Sequence, residues 1–411
     1  MKPLHLLLAS AILFLCLNSN AQSLGLGGLD NKSTGFDFFG KGMNTYTIHQ
    51  TGYYGRMAVS DNGVDHGHSN ETYIDVDWKH WFGKGLGLGL KLDADWSGDH
   101  YNGVDNLSRE WTIGPSLSYG KTVSNSFGVY GTVDLSFGQS KNIAKSSTFN
   151  LDSKDDIFGY GARVGLPYRF SEYTALTLEL GYDYLKDKGT NFEEKRNTFG
   201  FDIFLQDYLR CQQIKCDHSA NFKLSAHKYD QGNGFILYET EAGYYGGNST
   251  ETYSTLPNYH DKYSFNTAHF EVKGSYYIVN YLGLGGSLKA SHSYDESDDG
   301  QNWFKGNSFE FDPEVYLHVP VDNGWRNLFA KGGLYLGSDN SKSSGGGGST
   351  TQKSSTGGYN AGIGYYLFFS KQTALQTCIY YSSTTNKDKE SDDESKRHGI
   401  GISVGLAHSF K

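Results

Sequence analysis

The chain has 411 residues, a formal net charge of -9, 53 glycines, 6 prolines and an aromatic content of 15%. This negative charge argues against a nucleic-acid-binding protein, which would usually have a basic face. No segment beyond the N-terminus reaches the roughly 18 continuous apolar residues of a membrane-spanning helix. Abundant glycine and aromatic residues instead favour β-structure.

The N-terminus predicts export. Lys2 precedes an apolar run over residues 6–17, and the small residues Ser19 and Ala21 lie three and one positions before a possible cleavage site. The apolar run is too short to cross a bilayer of roughly 30 Å as a helix. We therefore expect residues 1–21 to be a signal peptide.

A two-residue hydrophobic period then recurs along the chain. LGLGLKLDADW, starting at Leu86, and TALTLELGYDYL, starting at Thr174, each place apolar side chains on one face of a strand. Runs of about ten such residues match a tilted membrane-crossing strand. The pattern predicts sixteen strands, near residues 46–59, 71–82, 86–97, 109–122, 127–138, 157–170, 174–185, 196–208, 235–247, 264–278, 282–294, 307–320, 325–337, 357–369, 373–385 and 397–410.

The predicted connections alternate in length. The short ones cover residues 81–85, 122–127 and 170–174, and the long polar ones cover residues 60–70, 138–156 and 186–196. Short turns at one end and long loops at the other are typical of outer-membrane barrels. The glycine- and serine-rich residues 343–355 are predicted to form a flexible loop.

The strand pattern occurs twice in the sequence, as an internal repeat. LGLGLKLDADW at Leu86 aligns with LGLGGSLKASH at Leu282, and YGARVGLPYRFSEYTAL from Tyr160 aligns with YNAGIGYYLFFSKQTAL from Tyr359. We therefore divide the chain into a first eight-strand repeat (residues 22–209), a linker or long periplasmic turn (210–234) and a second eight-strand repeat (235–411).

The pattern YGARVGLPYRFSEYTALTLELGYDYL, a glycine-rich strand, a short turn and an alternating strand, resembles the eight-stranded outer-membrane β-barrel family, which includes OmpA-type and OmpW-type barrels. The resemblance covers nearly all of the chain after residue 21, in two copies. One departure is that the C-terminal aromatic residue of such barrels is here the penultimate Phe410, followed by Lys411.

The resemblance implies an all-β, transmembrane, antiparallel up-and-down barrel in the cell outer membrane. The expected partners are outer-membrane lipid, lipopolysaccharide and the barrel-assembly machinery, with homo-oligomerisation left open. Two architectures are possible: one barrel of about sixteen strands, wide enough for an aqueous channel, or two tandem eight-strand barrels filled by side chains. We favour the single barrel, although the length of the 210–234 segment favours the tandem form.

In a barrel, the leucines at 86, 88, 90 and 92 would face lipid and the alternate residues would face the interior. Paired charges would form a salt-bridge network in a narrow barrel and would set the charge of the pore in a wide one. The lumen-lining candidates are Asp75, Lys79, Lys91, Asp93, Asp95, Glu179, Asp183, Glu271, Lys273 and Lys289.

The remaining candidate sites are weak. His66 and His68 could bind a transition metal, but a flexible loop gives them no fixed geometry. Cys211 and Cys216 could form a disulfide in an oxidising compartment. No cofactor is expected, and without a catalytic Ser-His-Asp order or an HExxH motif we expect no enzyme activity.

The sequence therefore predicts a porin-like passive channel for small solutes or an envelope-structural barrel. The alternative is a non-conducting binding or adhesion protein, built from two small tandem barrels whose extracellular loops contact a ligand.

Overall fold

The structure is a computed structural model, which describes residues 37–59, 67–101, 104–146, 150–169, 174–189, 192–210, 232–237, 241–253, 260–298, 300, 302–321, 326–345, 348–368, 373–390 and 394–410. Within these ranges, no helix is long and apolar enough to cross a membrane.

Seventeen antiparallel strands make up one sheet. They are β1 (Met43–Val59), β2 (Gly67–Gly83), β3 (Leu86–Tyr101), β4 (Val104–Ser124), β5 (Phe127–Lys145), β6 (Asn150–Arg169), β7 (Thr174–Lys188), β8 (Phe192–Arg210), β9 (Gly234–Leu237), β10 (Glu241–Tyr253), β11 (His260–Val279), β12 (Leu282–Ser297), β13 (Trp303–Val321), β14 (Arg326–Gly345), β15 (Gly348–Phe368), β16 (Thr373–Asp388) and β17 (Glu394–Phe410).

The sixteen long strands close into a barrel. Each pairs with the next along the chain, β8 pairs with β10, and β17 pairs with β1, which closes the ring. The predicted fold class, an antiparallel up-and-down barrel of about sixteen strands, is therefore confirmed.

The strands are longer than predicted at the end where the chain makes long connections, which we call the hairpin end. Residues 138–156 were expected to form a loop, yet β5 continues to Lys145 and β6 begins at Asn150. The prediction of a flexible loop over residues 343–355 is likewise wrong, because β14 runs to Gly345 and β15 begins at Gly348. Polar residues extend these strands because ladder hydrogen bonds do not depend on side-chain hydropathy.

Matching irregularities interrupt the two halves. The ladder between β4 and β5 omits Gly114 and Pro115, and the ladder between β13 and β14 omits Asp312 and Pro313. Proline has no amide hydrogen for a ladder bond, so each gap accommodates a residue that would otherwise disrupt a central strand.

The sheet branches at the opposite end, which we call the short-turn end. β1 changes partner along its length: residues 43–46 pair with residues 207–210 of β8, whereas residues 49–59 pair with β17. The first eight strands therefore close on themselves at the short-turn end.

The second half closes in the same way. The short strand β9 pairs with residues 274–276 of β11 and with residues 407–410 of β17. β10, which follows it, pairs with β8 instead. One sixteen-strand ring at the hairpin end thus divides into two eight-strand rings, which we call the first leg (β1–β8) and the second leg (β9 and β11–β17). The structure combines features of both architectures considered from the sequence.

The outer surface of both halves is apolar. Leu86, Leu88 and Leu90 are exposed, as the alternation predicts, and β4 alternates between exposed apolar and buried small residues. The most exposed large apolar side chains include Leu88, Leu117, Tyr119, Val133, Val164, Phe199, Leu284, Val315, Leu317, Val319, Leu328, Leu334, Ile363, Ile379, Ile400 and Ile402.

Each leg has its own buried core. The core of the first leg consists of Phe38, Phe39, Met43, Trp81, Tyr130, Ala175 and Tyr208. The core of the second leg consists of Tyr277, Tyr316, Phe329, Tyr366, Phe368, Ala374, Cys378 and Ala407. Two separate cores are consistent with the interior of an eight-strand ring, which side chains are able to fill.

Candidate functional site: a vestibule and two filled legs

A charged network occupies the interior of the first leg, centred on Arg163 of β6. Its guanidinium group pairs with Asp134 and lies 2.5 Å from Asp183 and 3.5 Å from Glu179. The hydroxyl of Tyr130 donates a 2.6 Å hydrogen bond to Glu179. Asp134 and Glu179 are shielded from water and therefore depend on Arg163 for compensation, whereas Asp183 is partly exposed.

A second cation lies beside this network. Lys79 is only 4% exposed, and its Nζ donates a 2.9 Å hydrogen bond to Asp77. The same Nζ lies 5.6 Å from the centre of the Tyr130 ring, at cation–π distance. Lys79 and Arg163 thereby fill the first leg with paired charge.

The residues before β1 close the short-turn end of the first leg. The Phe39 ring lies 4.5 Å from that of Trp81, and the Phe38 ring packs edge-on against Tyr208 at 5.2 Å. The Phe38 amide donates a 3.0 Å hydrogen bond to Thr122, which fixes this segment to β4. The first leg is therefore capped by aromatic side chains below its charged network.

Aromatic rings dominate the second leg. The Phe329 and Tyr366 rings lie 4.8 Å apart, and His318 stacks on Tyr366 at 5.7 Å and contacts Tyr277 edge-on at 5.2 Å. Such offset and edge-on contacts stabilise a core beyond simple burial. These rings leave the second leg filled across its width.

Among the described residues, the second leg has a buried ion pair between Lys331 and Glu314. Lys331 donates a 2.7 Å hydrogen bond to Glu314, which also accepts a hydrogen bond from the Tyr316 hydroxyl. Lys331 also lies 5.9 Å from the centre of the Tyr380 ring. This pair occupies the level of the barrel where the Arg163 network lies in the first leg.

The two legs meet through side chains at the short-turn end. Thr174 Oγ1 donates a 3.1 Å hydrogen bond to Asp207 and lies 3.0 Å from His408 Nδ1. All three residues are buried. The ends of β8 and β17, which belong to different legs, are thereby joined at their equivalent positions.

A polar cavity of about 880 Å³, which we call the vestibule, lies above the legs. Strands β2 and β3 contribute Glu71 and Asp95, and strands β12–β17 contribute Lys289, Glu310, Tyr380 and Arg397 among others. Arg397 lies 3.2 Å from Glu71 across the boundary between the halves. The wide ring thus encloses a space that neither half lines alone.

The predicted lumen-lining residues lie on the inner face. In the first half, Lys79, Glu179 and Asp183 belong to the buried network, and Asp75 lies within electrostatic reach of Lys91 and Asp93.

The other four candidates lie in β3, β11 and β12. Asp95 and Lys289 line it directly, and Lys289 lies 3.2 Å from Glu271. Lys273 acts electrostatically on Glu314. The candidates therefore fall into three groups: one on the inner face of the first leg, one at the vestibule, and Lys273 beside the ion pair of the second leg.

Sequence reasoning missed the centre of the first network. Arg163 lies within the repeated segment YGARVGLPYRF, where it is flanked on its own face by Gly161 and Gly165. A lone arginine among small inward-facing residues was the signal, because the space left by glycine accommodates one large charged side chain. The aromatic cap formed by Phe38 and Phe39 had no comparable signal, since it precedes the first predicted strand.

Several predicted features lie outside the described residues: the signal peptide (1–21), Cys211, Cys216 and His66. His68 lies at the start of β2. Among the described residues, no group of three or more His, Cys, Asp or Glu side chains could hold a metal ion.

No protein-family model matches this chain, and no curated protein matches it. The solved structures that it resembles are outer-membrane β-barrels. They include the translocator domain of the autotransporter NalP from Neisseria meningitidis, with 12% identity, coverage of 98% of this chain and 97% of that one, and a TM-score of 0.24. They also include the P. putida toluene transporter TodX, with 10% identity, coverage of 91% of each chain and a TM-score of 0.31.

A third is the Ralstonia pickettii toluene transporter TbuX, with 11% identity, coverage of 90% of each chain and a TM-score of 0.28. Identities and TM-scores this low say nothing about what this chain binds or transports. Only its own geometry bears on its function.

Proposed function

We propose that this chain is an integral outer-membrane barrel of the channel type, with one vestibule on the extracellular side and two closed legs on the periplasmic side. The observation that carries the membrane assignment is the apolar outer face of a closed sheet. A closed barrel pairs every strand edge, as a lipid environment requires.

The height of the apolar face fits a bilayer. On β4, the outward residues from Trp111 to Tyr119 are apolar and exposed. They span roughly 27 Å along the strand at about 3.4 Å per residue, which corresponds to roughly 21 Å of height at a tilt of about 40° and is close to the apolar band of about 25 Å in outer-membrane barrels. The short turns would then lie in the periplasm and the long hairpins outside the cell.

The interior supports a channel that is closed in this structure. Small polar solutes would enter the vestibule, which contains charged and hydroxyl side chains. Below it, each leg is an eight-strand ring filled by buried side chains. Passage would therefore require these side chains to move, unlike passage through an open porin.

Conductance in planar lipid bilayers tests this proposal. We expect little or no conductance from the wild-type protein and a measurable increase for Phe329→Ala, which removes a ring from the middle of the second leg. Leu328→Ala is the matched control, because Leu328 is the neighbouring residue on the outer face of β14. We expect this control to behave as wild type.

Two outcomes would overturn the proposal. A large, permanently open wild-type conductance would show that the legs are not closed. No conductance from any folded variant, including Phe39→Ala in the first leg, would exclude a channel. The filled legs favour a non-conducting binding protein as the second candidate function, and that result would support it.

A further inference from the structure

We propose that the vestibule is a binding site for a short neutral saccharide. This inference deepens the proposed function by naming the class of solute that the vestibule would accept. Its volume of about 880 Å³ lies within the range of roughly 300–1,000 Å³ typical of small-molecule sites.

One wall of the vestibule consists of neutral hydrogen-bonding groups. Strands β15, β16 and β17 contribute Thr356, Ser382, Thr384, Asn386 and Ser395. Within the described part of the chain, no side-chain hydrogen bond involves any of these five residues. Their hydroxyl and amide groups can both donate and accept, which matches the mixed character of sugar hydroxyls.

The charges in the vestibule are largely compensated. Arg397 pairs with Glu71 at 3.2 Å, and Lys289 pairs with Glu271 at 3.2 Å. Glu310 lies opposite Lys289 in the ladder between β12 and β13. An anionic ligand would meet the carboxylates of Glu71, Asp95 and Glu310, whereas a cationic ligand would have to compete with Arg397 and Lys289. A neutral ligand avoids both costs.

Aromatic rings complete the site. Tyr380 lines the vestibule and packs against the core of the second leg, so it belongs to the floor of the cavity. Tyr73 and Tyr335 line it as well. A tyrosine ring offers a flat apolar face together with a hydroxyl group, which suits a sugar ring with apolar C–H faces and polar edges.

Calorimetric titration of the full chain in detergent micelles tests the inference. The probes are maltotriose and raffinose, with gluconate and glucosamine as charged comparators. We expect at least one neutral probe to bind the wild-type protein, and to bind more tightly than either comparator.

The variant Thr384→Val removes a hydroxyl from the vestibule while keeping the side-chain shape, and combined with Ser382→Ala it should weaken saccharide binding about tenfold or more. Thr385→Val is the matched control, because Thr385 is the next residue on β16 and faces the opposite side of the sheet. We expect this control to bind as wild type does.

The inference is overturned if the folded wild-type protein binds neither neutral probe, if a charged comparator binds more tightly, or if the double variant retains wild-type affinity. These results are independent of conductance. A protein that binds saccharide without conducting refutes the channel and retains the site, whereas a protein that conducts without binding refutes the site alone.

Discussion

The two legs have the same number of strands but different interiors. The first leg contains an arginine shared by three carboxylates, and the second contains a stack of aromatic rings beside the ion pair of Lys331 and Glu314. An eight-strand ring requires only that its interior be filled and its polar groups be paired. The comparison shows that two chemically different solutions can satisfy one strand pattern.

Individual positions show where the difference arises. Tyr130 pairs in register with Gly165, and Phe329 pairs with Gly364 at the equivalent place in the second half. The exchange of tyrosine for phenylalanine removes the hydroxyl that bonds Glu179 in the first leg. The sequence alignment places Gly362 opposite Arg163 and Cys378 opposite Glu179, so the second half has lost the centre of the network together with its partners.

Engineered cysteine pairs test the branch at which β1 changes partner from β8 to β17, and this test should give the largest effect, the presence or absence of a disulfide. Asn44 and Leu209 are register partners between β1 and β8, and Gln50 and Val404 are partners between β1 and β17. In a background without native cysteines, we expect both engineered pairs to form disulfides in the same molecule. Gel mobility and mass spectrometry of the oxidised protein provide the measurement.

A chain with two independent barrels would form only the first disulfide, and a simple sixteen-strand ring would form only the second. Either result would eliminate the division into one vestibule and two legs. The offset pair Asn44→Cys with Val404→Cys is the control and should not form a disulfide.

The difference in charge between the legs should appear as a difference in stability. Arg163→Met leaves three carboxylates without their shared partner, and we expect a loss of about 3–5 kcal/mol in the free energy of unfolding. Lys331→Met removes one cation from a single carboxylate, Glu314, which keeps Lys273 nearby and the hydrogen bond from Tyr316, so it should cost less. Urea unfolding in micelles, followed by tryptophan fluorescence, measures both losses, and an equal or larger loss for Lys331→Met would contradict the comparison.

The smallest expected effect is a pKa change at the hairpin end, where each half has a glutamate that accepts hydrogen bonds from two lysines. Hydrogen bonds from Lys195 and Lys186 lower the pKa of Glu193 from 4.5 to about 2. The stabilisation from these bonds is therefore present above about pH 4.5 and is lost as the pH falls towards 2. Carboxyl titration followed by NMR should find Glu193 ionised well below pH 4.5.

Glu394 has the same arrangement in the second half, where hydrogen bonds from Lys396 and Lys387 lower its pKa. Lys195→Met should raise the pKa of Glu193 towards its ordinary value while leaving that of Glu394 unchanged. A coupled change in both groups would mean that the two hairpins are not independent.

Local pattern predicted much of the fold. The alternation of Leu86 to Trp96 correctly indicated a strand with leucines outward, and the short turns were correctly located, as at Gly83–Leu86. Hydrophobic periodicity ends where a strand leaves the apolar band, so the polar extensions such as residues 343–345 were assigned to loops.

The branch could not be predicted in the same way. Which strand pairs with the first residues of β1 and which with the rest depends on contacts between segments far apart in sequence. The positions of the charged candidates could not be predicted for the same reason, since they too depend on contacts between distant segments. Lys79 and Lys289 have similar alternating surroundings in sequence, yet Lys79 is buried in the first leg and Lys289 lines the vestibule.

The change of partner along β1 has a consequence for the order of assembly. The first leg can close as soon as β8 has been made, but the upper part of β1 must wait for β17, the last strand of the chain. The pair Arg397–Glu71, whose members are 326 positions apart, can form only at that final step. The corresponding part of β8 is covered earlier, by β10. Until β17 is made, residues 49–59 of β1 and the last completed strand therefore present free edges that could pair with other chains, so survival of the nascent barrel depends on shielding these edges during insertion.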